Sequence, residues 1–329
     1  MRSLLFIICF VCAFGVSQAQ KRQNVYFLKN SGKIVEVKDS ADFIRIVQEP
    51  DSGAIHFNLK EYYINDKVKT IGTVSKFEPA LVYEGTLVCY NEQGKKEATV
   101  NYRAGKLVGL GYLFYPTGAL KRVVDYDVNK LNDKPGVSGT GTPMEFRLDY
   151  FADSLGNVIV KDGNGHFTEK TTSKSGDRFV EEGDYLNGLK NGQWTMKNAT
   201  GTYWYTEKFD NGKFISGESF KDGQTYSYRT MESFPMFKGG AEAFYKFLGR
   251  TIKYPREAEK QRIGGKVVLS FVVEKDGALS DIQILQGVYP SIDEEALRVV
   301  RLSPKWNPGT QHGVPIRVKY NIPITFSLH

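Results

Sequence analysis

Residues 254–271 read YPREAEKQRIGGKVVLSF, which places a Tyr-Pro pair, a charged run and a double glycine ahead of an apolar strand. Pro255 suits the first position of a helix, where the missing N–H of proline costs nothing. Glu257 and Glu259 come before Lys260 and Arg262, which agrees with the direction of the helix dipole. The stretch therefore predicts a short helix that starts at Pro255 and stops at Gly264.

The second half of the same stretch predicts a β-strand that continues beyond it. Alternate apolar residues fall on one face of this strand, at Val267, Leu269, Phe271 and Val273. Residues 275–277, Lys-Asp-Gly, then supply a turn into a second strand, LSDIQILQ. Together these residues predict a β-hairpin with one buried face.

Two amphipathic helices are predicted, one before residues 254–271 and one after the hairpin. The first has apolar residues at helical spacing, Ala241, Phe244, Tyr245 and Leu248, with Gly249 as its C-cap. The second begins with a capping box formed by Ser291 and Glu294, and an apolar stripe follows.

The chain ends with VPIRVKYNIPITFSL, residues 314–328, in which apolar positions alternate with polar residues or proline. This alternation predicts one continuous strand with a buried face and a wet face. Pro315 and Pro323 have no N–H to give to a ladder, and at eight residues apart they lose a donor on the same side. That side is predicted to be a sheet edge. The unpaired backbone there belongs to Arg317, Lys319, Asn321 and Thr325.

The order and spacing of these residues resemble the C-terminal domain of the TonB energy-transducer family. The resemblance runs from about Phe237 to Leu328. It rests on Tyr254-Pro255, Ala258, Gly265, the strand from Val267 to Val273, Asp276-Gly277, Leu297, Pro304, Trp306, Pro308-Gly309, Gly313, Pro315, Pro323 and Phe326. It implies a compact α+β domain in which two helices pack on a three-stranded antiparallel sheet.

The resemblance also implies a partner. In that family the domain binds a short extended peptide, the TonB box, at the N-terminus of outer-membrane transporters, and passes on energy from inner-membrane motor proteins. The contact regions map here to Thr251, Ile252, Lys253, Tyr254 and Pro255, and to Arg317, Lys319, Asn321 and Thr325. Addition of the peptide to the edge strand would give affinity through main-chain hydrogen bonds.

The N-terminus, MRSLLFIICFVCAFGVSQAQ, has the pattern of a secretory signal peptide. We expect residues 1–19 to be removed and the protein to act in the periplasm or cell envelope. A transducer resembling the family would keep an inner-membrane helix and a long Pro-rich spacer, whereas this chain has twelve prolines spread throughout. An uncleaved leader that anchors the chain in the inner membrane is the alternative.

The middle of the chain carries a weak repeat of glycines and aromatic residues. Two copies have the same order of aromatic, Gly, Gly and aromatic: Tyr102, Gly105, Gly109 and Tyr112, and then Tyr185, Gly188, Gly192 and Trp194. The pattern resembles the MORN-type repeat, in which each unit is a β-hairpin with glycines in its turns and aromatic residues that stack on the next hairpin. It predicts an all-β antiparallel region that serves as a spacer or a binding surface.

These patterns divide the chain. We predict a signal peptide at residues 1–19, a small antiparallel β region at 20–80, β-hairpin repeats at 81–230 and the α+β domain at 231–329. After removal of the leader only Cys89 remains, so an internal disulfide is excluded and packed cores must supply the stability.

The sequence does not indicate an enzyme. No P-loop, dinucleotide fingerprint or nucleophile elbow is present. The histidines lack ligand spacing, so neither a metal site nor a cofactor is expected: His56, His166, His312 and His329. The acidic group Asp293-Glu294-Glu295 is interpreted as a solvated helix N-terminus. A net charge of +7 with scattered bases argues against nucleic-acid binding.

Two functions stay open at this point. The first is a periplasmic module that binds the box peptide of an outer-membrane transporter. The second is a non-energising envelope scaffold whose β repeats contact proteins or glycans, with the edge prolines serving to prevent strand pairing. A homodimer is compatible with either function.

Overall fold

The computed structural model describes residues 21–126, 146–173 and 175–328. The signal peptide predicted at residues 1–19 lies outside the described residues. The chain divides into two compact units, one of residues up to Gly109 with Leu113–Gly118, and one of Leu110–Tyr112 with the residues from Ala119 onward. None of the helices in the described ranges is long and apolar enough to cross a membrane.

The first unit is an antiparallel sheet with the strand order β2-β1-β3-β4-β5-β6-β7-β8. Its strands are β1 (Gln23–Leu28), β2 (Ile34–Val35), β3 (Phe43–Gln48), β4 (Phe57–Tyr63), β5 (Val68–Lys76), β6 (Val82–Tyr90), β7 (Lys96–Arg103) and β8 (Lys106–Phe114). Alternate side chains are buried, and Leu59 and Val74 are fully inaccessible to solvent. The antiparallel β class predicted for this part of the chain is confirmed.

The second unit begins with three antiparallel strands in the order β9-β10-β11, followed by a separate sheet. The three strands are β9 (Leu120–Asp125), β10 (Arg147–Ala152) and β11 (Val158–Val160). The separate sheet, which we call the repeat sheet, has six strands in chain order. They are β12 (Gly165–Thr172), β13 (Arg178–Leu186), β14 (Leu189–Asn198), β15 (Tyr203–Asp210), β16 (Lys213–Lys221) and β17 (Gln224–Tyr228).

Glycines have two different roles in the repeat sheet. Asn187 and Gly188, between β13 and β14, both have positive φ angles, of 51° and 79°, as a type I′ hairpin turn requires. Gly183 and Gly217 instead lie within strands, where an aromatic ring occupies the space of a side chain. A Cβ at Gly183 would lie 2.3 Å from the buried Trp194 ring. The predicted turn role therefore covers only some of the glycines.

Substitution of Gly217 by alanine tests this packing. The new Cβ would lie 2.2 Å from Tyr228 Cζ, so the ring must move. We expect the free energy of opening of β15–β17, measured by hydrogen exchange, to fall by about 1–3 kcal/mol. Gly249→Ala is the control, because nothing lies within 4 Å of that position in a helix, and it should stabilise its helix by about 0.5–1 kcal/mol. Unchanged exchange in Gly217→Ala would contradict the packing argument.

The rest of the second unit is α+β, as predicted. It contains the helices α1 (Gly240–Thr251), α2 (Arg256–Lys260) and α3 (Pro290–Arg301). Its strands are β18 (Glu232–Ser233), β19 (Gly265–Val273), β20 (Leu279–Gln286), β21 (Gly309–Gln311), β22 (Val314–Ile316) and β23 (Val318–Phe326). They form two antiparallel sheets, of order β20-β19-β23 and β18-β21-β22.

The core of this region lies between the β20-β19-β23 sheet and the helices. The alternate apolar residues predicted for β19 are all buried: Val267, Leu269, Phe271 and Val273. Helix α1 contributes Phe244 and Leu248, whereas Tyr245, predicted on the same stripe, is 68% exposed. The antiparallel pairing of β19 with β20 and with β23 confirms the predicted three-stranded sheet.

Four predicted helix boundaries are wrong. Helix α1 continues past Gly249 to Thr251, because the packing of its apolar face outweighs the modest helix cost of one glycine. Helix α2 begins at Arg256, with Pro255 as its N-cap, and it ends before Gly264. Helix α3 begins at Pro290, so the predicted capping box with Ser291 is not formed. Pro290, which suits the first helical position, was the stronger signal.

The terminal strand predicted over residues 314–328 is divided in two. Strand β22 pairs with β21, β23 pairs with β19 in a different sheet, and Arg317 joins them outside both strands. Pro315 therefore lies opposite Thr310 in the smaller sheet and does not share an edge with Pro323. Alternation of side chains cannot show a change of partner strand, because it is retained on both sides of the break.

Candidate functional site

Strand β23 forms one edge of the β20-β19-β23 sheet, and β19 is its only neighbour among the described strands. Pro323, opposite Val268 in the ladder, has no N–H, so its backbone nitrogen suits the side that faces away from β19. Backbone groups of alternate residues point to the same side of a strand. The other residues with this orientation are Lys319, Asn321 and Thr325, whose side chains are exposed. Their backbone groups are available to a further strand.

The opposite edge of the sheet, β20, is less regular. Asp281 has a left-handed backbone with φ of 49°, and the register with β19 shifts between Ser270 and Val272. Such bulges disturb the row of backbone groups that an added strand would need. By contrast, the nine residues of β23 pair with β19 without any shift. Strand β23 is therefore the better template for an added strand.

Arg317, the first predicted contact residue of this edge, is engaged elsewhere. Its guanidinium donates hydrogen bonds of 2.7 and 2.9 Å to the Glu274 carboxylate and lies 3.4 Å from Asp281 Oδ2. The hydrogen bonds from Arg317 lower the pKa of Glu274. Arg317 therefore braces the β19–β20 hairpin, and of the predicted edge residues only Lys319, Asn321 and Thr325 lie in β23.

The predicted contact segment, residues 251–255, connects α1 to α2. Thr251 ends α1, Ile252 packs against the core, and Lys253 is exposed. The Tyr254 hydroxyl donates a 2.7 Å hydrogen bond to the Ile263 carbonyl. Its ring meets Phe326, at the end of β23, edge to face with centroids 6.1 Å apart. The structure thus brings Tyr254 to one end of β23, whereas Arg317 precedes the other end, roughly 30 Å away along the strand.

Two residues of α3 hold this segment in place. The Glu295 carboxylate accepts a 2.6 Å hydrogen bond from the Lys253 N–H and two of 2.7 Å from the Arg298 guanidinium. Arg298 in turn donates 2.7 Å to the Thr251 carbonyl. Burial opposes ionisation of Glu295, but the hydrogen bonds from Arg298 and Lys253 outweigh it, so the pKa of Glu295 is lowered. The segment is therefore clamped by a charged pair.

Sequence reasoning missed this clamp. The sequence predicts that Glu295 belongs to a solvated acidic group, but the residue is only 9% exposed. The spacing of Glu295 and Arg298, three residues apart, indicates a pair on one helix face. It does not indicate that the pair faces the end of α1. Beside the clamp is a cavity of about 350 Å³, lined by Lys253, Tyr254, Pro255, Ser291, Glu294, Glu295 and Arg298.

Within the described residues, no group of histidine, cysteine and acidic side chains could hold a metal ion. The site offers backbone hydrogen-bonding groups along β23 and, at the Phe326 end, the clamped segment of residues 251–255. Of its charged groups, Glu295 is paired with Arg298, and Arg317 with Glu274. Such an arrangement is suited to binding an extended chain.

The C-terminal part of the chain is similar to known proteins. Residues 250–328 match the family model described as Gram-negative bacterial TonB protein C-terminal. Two solution structures of the Helicobacter pylori TonB C-terminal domain are similar to the chain. One is 26% identical over 26% of this chain and 77% of its own, and the other 25% identical over 26% and 90%, each with a TM-score of 0.21. None of the curated proteins compared with the chain matches it. The β-rich region before residue 250 has no family assignment.

Proposed function

We propose that this protein acts in the periplasm or cell envelope as a TonB-like component of outer-membrane transport. Its C-terminal domain binds an extended, TonB-box-like peptide at the N-terminus of a TonB-dependent transporter. The observation that carries the proposal is the regular edge of β23, which no further described strand pairs with, inside the segment that matches the TonB C-terminal family. Energy input from inner-membrane motor proteins belongs to the same proposal, as does export through the N-terminal leader.

The geometry indicates how such a peptide would bind. A peptide strand laid beside β23 would pair with the backbone of Lys319, Asn321 and Thr325, whereas Pro323 can only accept. Each main-chain hydrogen bond contributes about 0.5–1.5 kcal/mol net, so few bonds give modest affinity. Tyr254 and its clamped segment lie at the Phe326 end of the edge, where they would contact the peptide side chains and give selectivity.

Substitution of Asn321 by proline tests this mode of binding. The substitution removes an N–H that faces away from β19, so the sheet keeps its own hydrogen bonds. We expect the Kd for a fluorescently labelled box peptide, measured by anisotropy with the full chain, to rise about tenfold. Asn321→Ala is the matched control, because it removes the same side chain and keeps the N–H. Its affinity should stay within about twofold of wild type.

Other outcomes would point elsewhere. If Asn321→Pro and Asn321→Ala weaken binding equally, the side chain is the contact and strand addition is wrong. If the wild-type chain binds no box peptide at millimolar concentration, the transport proposal fails, and a non-energising scaffold with contacts through its β repeats becomes the better explanation. Circular dichroism of each variant verifies that the fold is retained.

A further inference from the structure

The tip of the β21–β22 hairpin enters a pocket on one face of the repeat sheet. The His312 ring stacks on the Tyr205 ring, with centroids 4.3 Å apart and an interplanar angle of 5°. Its Nδ1 atom lies 2.9 Å from Glu207 Oε1, and its carbonyl accepts a 2.6 Å hydrogen bond from Ser219 Oγ. We call residues 311–314 the hairpin tip. We call Tyr205, Glu207, Ser219 and Tyr228 the socket.

The socket contains groups that are costly to bury without partners. Glu207 is 1% exposed, and its Oε2 atom has no hydrogen-bond partner among the described residues. The Tyr228 hydroxyl donates 2.9 Å to Glu207 Oε1. Burial, followed by the neighbouring Glu207 carboxylate, raises the pKa of Tyr228, which therefore stays protonated and donates. Because a buried carboxylate with incomplete hydrogen bonding is unfavourable, the contact with the His312 ring stabilises the docked tip.

The backbone of the tip also fits the socket. His312 and Gly313 both have left-handed backbones, with φ of 48° and 75°. A Cβ at Gly313 would lie 3.0 Å from Tyr228 Cδ1, so the absence of a side chain allows the close approach. The His312 N–H donates 2.7 Å to the Met231 carbonyl. The tip is thus held by the ring, the carbonyl and the N–H of His312. Glu207, which contacts the ring, lies 105 positions away in sequence.

The docked tip is directly connected to the candidate binding edge. From the tip the chain runs through β22 and Arg317 into β23. Arg317 is itself held by Glu274, so the segment between the tip and β23 has little freedom to move. Release of the tip would remove one of the contacts that hold the chain ahead of β23.

We propose that the socket is an intramolecular binding site for the hairpin tip, and that docking of the tip stabilises the β23 edge. The repeat sheet would then hold the C-terminal region in place and regulate its edge strand, β23. The consequence for peptide affinity rests on the proposed function, whereas the docking itself does not. A released tip would add an ordering cost to peptide binding, and affinity would fall.

Hydrogen exchange of the full chain tests the proposal. In His312→Ala we expect exchange of the tip amides to rise about tenfold, with a smaller rise, about threefold, along β23. Ser219→Ala leaves the His312 and Glu207 side chains in place and should act in the same direction, more weakly. His166→Ala is the control: His166 lies 2.8 Å from Asp184 Oδ1, but both side chains are 64% exposed. It should leave the tip and β23 unchanged.

Each outcome decides one part of the proposal. Wild-type exchange at the tip in both His312→Ala and Ser219→Ala would overturn the docking. If exchange rises at the tip but stays unchanged along β23, the contact is only local, and the proposed regulation of the edge is wrong. Peptide affinity, measured on the same samples, is a separate readout. If wild type binds no peptide the proposed function fails, while the exchange data still decide whether the socket stabilises β23.

Discussion

Replacement of Trp306 by alanine is expected to lower the free energy of opening of the C-terminal α+β region by about 3–5 kcal/mol. Trp306 is 4% exposed, and its ring meets the rings of Phe244, Phe271 and Tyr320 at centroid distances of 5.4–5.6 Å. It therefore joins α1, β19 and β23 in one aromatic cluster. Its loss leaves a cavity at the point where these three elements meet.

Hydrogen exchange of the β19 amides measures this effect. Trp204→Ala is the matched control, because Trp204 is only partly buried and stacks on the Phe220 ring with centroids 6.0 Å apart. The control should lower the free energy of opening by less than half as much, and its effect should fall on the repeat sheet. If both variants lose a similar free energy of opening, Trp306 is not the residue that joins α1, β19 and β23. Since Tyr320 belongs to β23, Trp306→Ala should also weaken binding of the box peptide.

The sequence predicts the C-terminal fold well where the physical signal is local. Every second position from Val267 to Val273 carries Val, Leu, Phe or Val, which predicts one apolar face, and the structure buries all four residues. The turn at Gly277 has φ of 83°, which agrees with the left-handed backbone that a Lys-Asp-Gly turn favours. Helix ends were predicted less well, because Gly249 and Ser291 are compatible with a helix interior once tertiary contacts compensate.

The candidate site is predicted only in part, for reasons that depend on tertiary structure. Pro323 correctly indicates an edge, since proline lacks an N–H. Arg317 is predicted as an edge residue but pairs with Glu274, and alternation cannot reveal where a strand changes its partner. The contact of His312 with Glu207 joins residues 105 positions apart. No pattern in a single sequence relates the two.

Replacement of Glu295 by alanine should have the second largest effect on the C-terminal region, a loss of about 2 kcal/mol in its free energy of opening. The substitution leaves the Lys253 N–H without its acceptor and frees Arg298 from the pair that aims it at Thr251. The segment that carries Tyr254 would then lose its clamp. We expect faster exchange of the Lys253 amide and weaker peptide binding.

The carboxylate of Glu295 also makes the stability of the clamped segment depend on pH. Because the pKa of Glu295 lies below its ordinary value of 4.5, its contribution to stability is complete above that value and is lost as pH falls through the lowered pKa. The Lys253 amide should therefore lose protection below about pH 4.5 in wild type and show no such step in Glu295→Ala. Glu242→Ala is the control, because Glu242 pairs with Lys246 while both side chains are largely exposed, and its loss should change stability by less than about 0.5 kcal/mol. A Glu295→Ala protein with wild-type exchange at Lys253 would show that the clamp does not hold the segment.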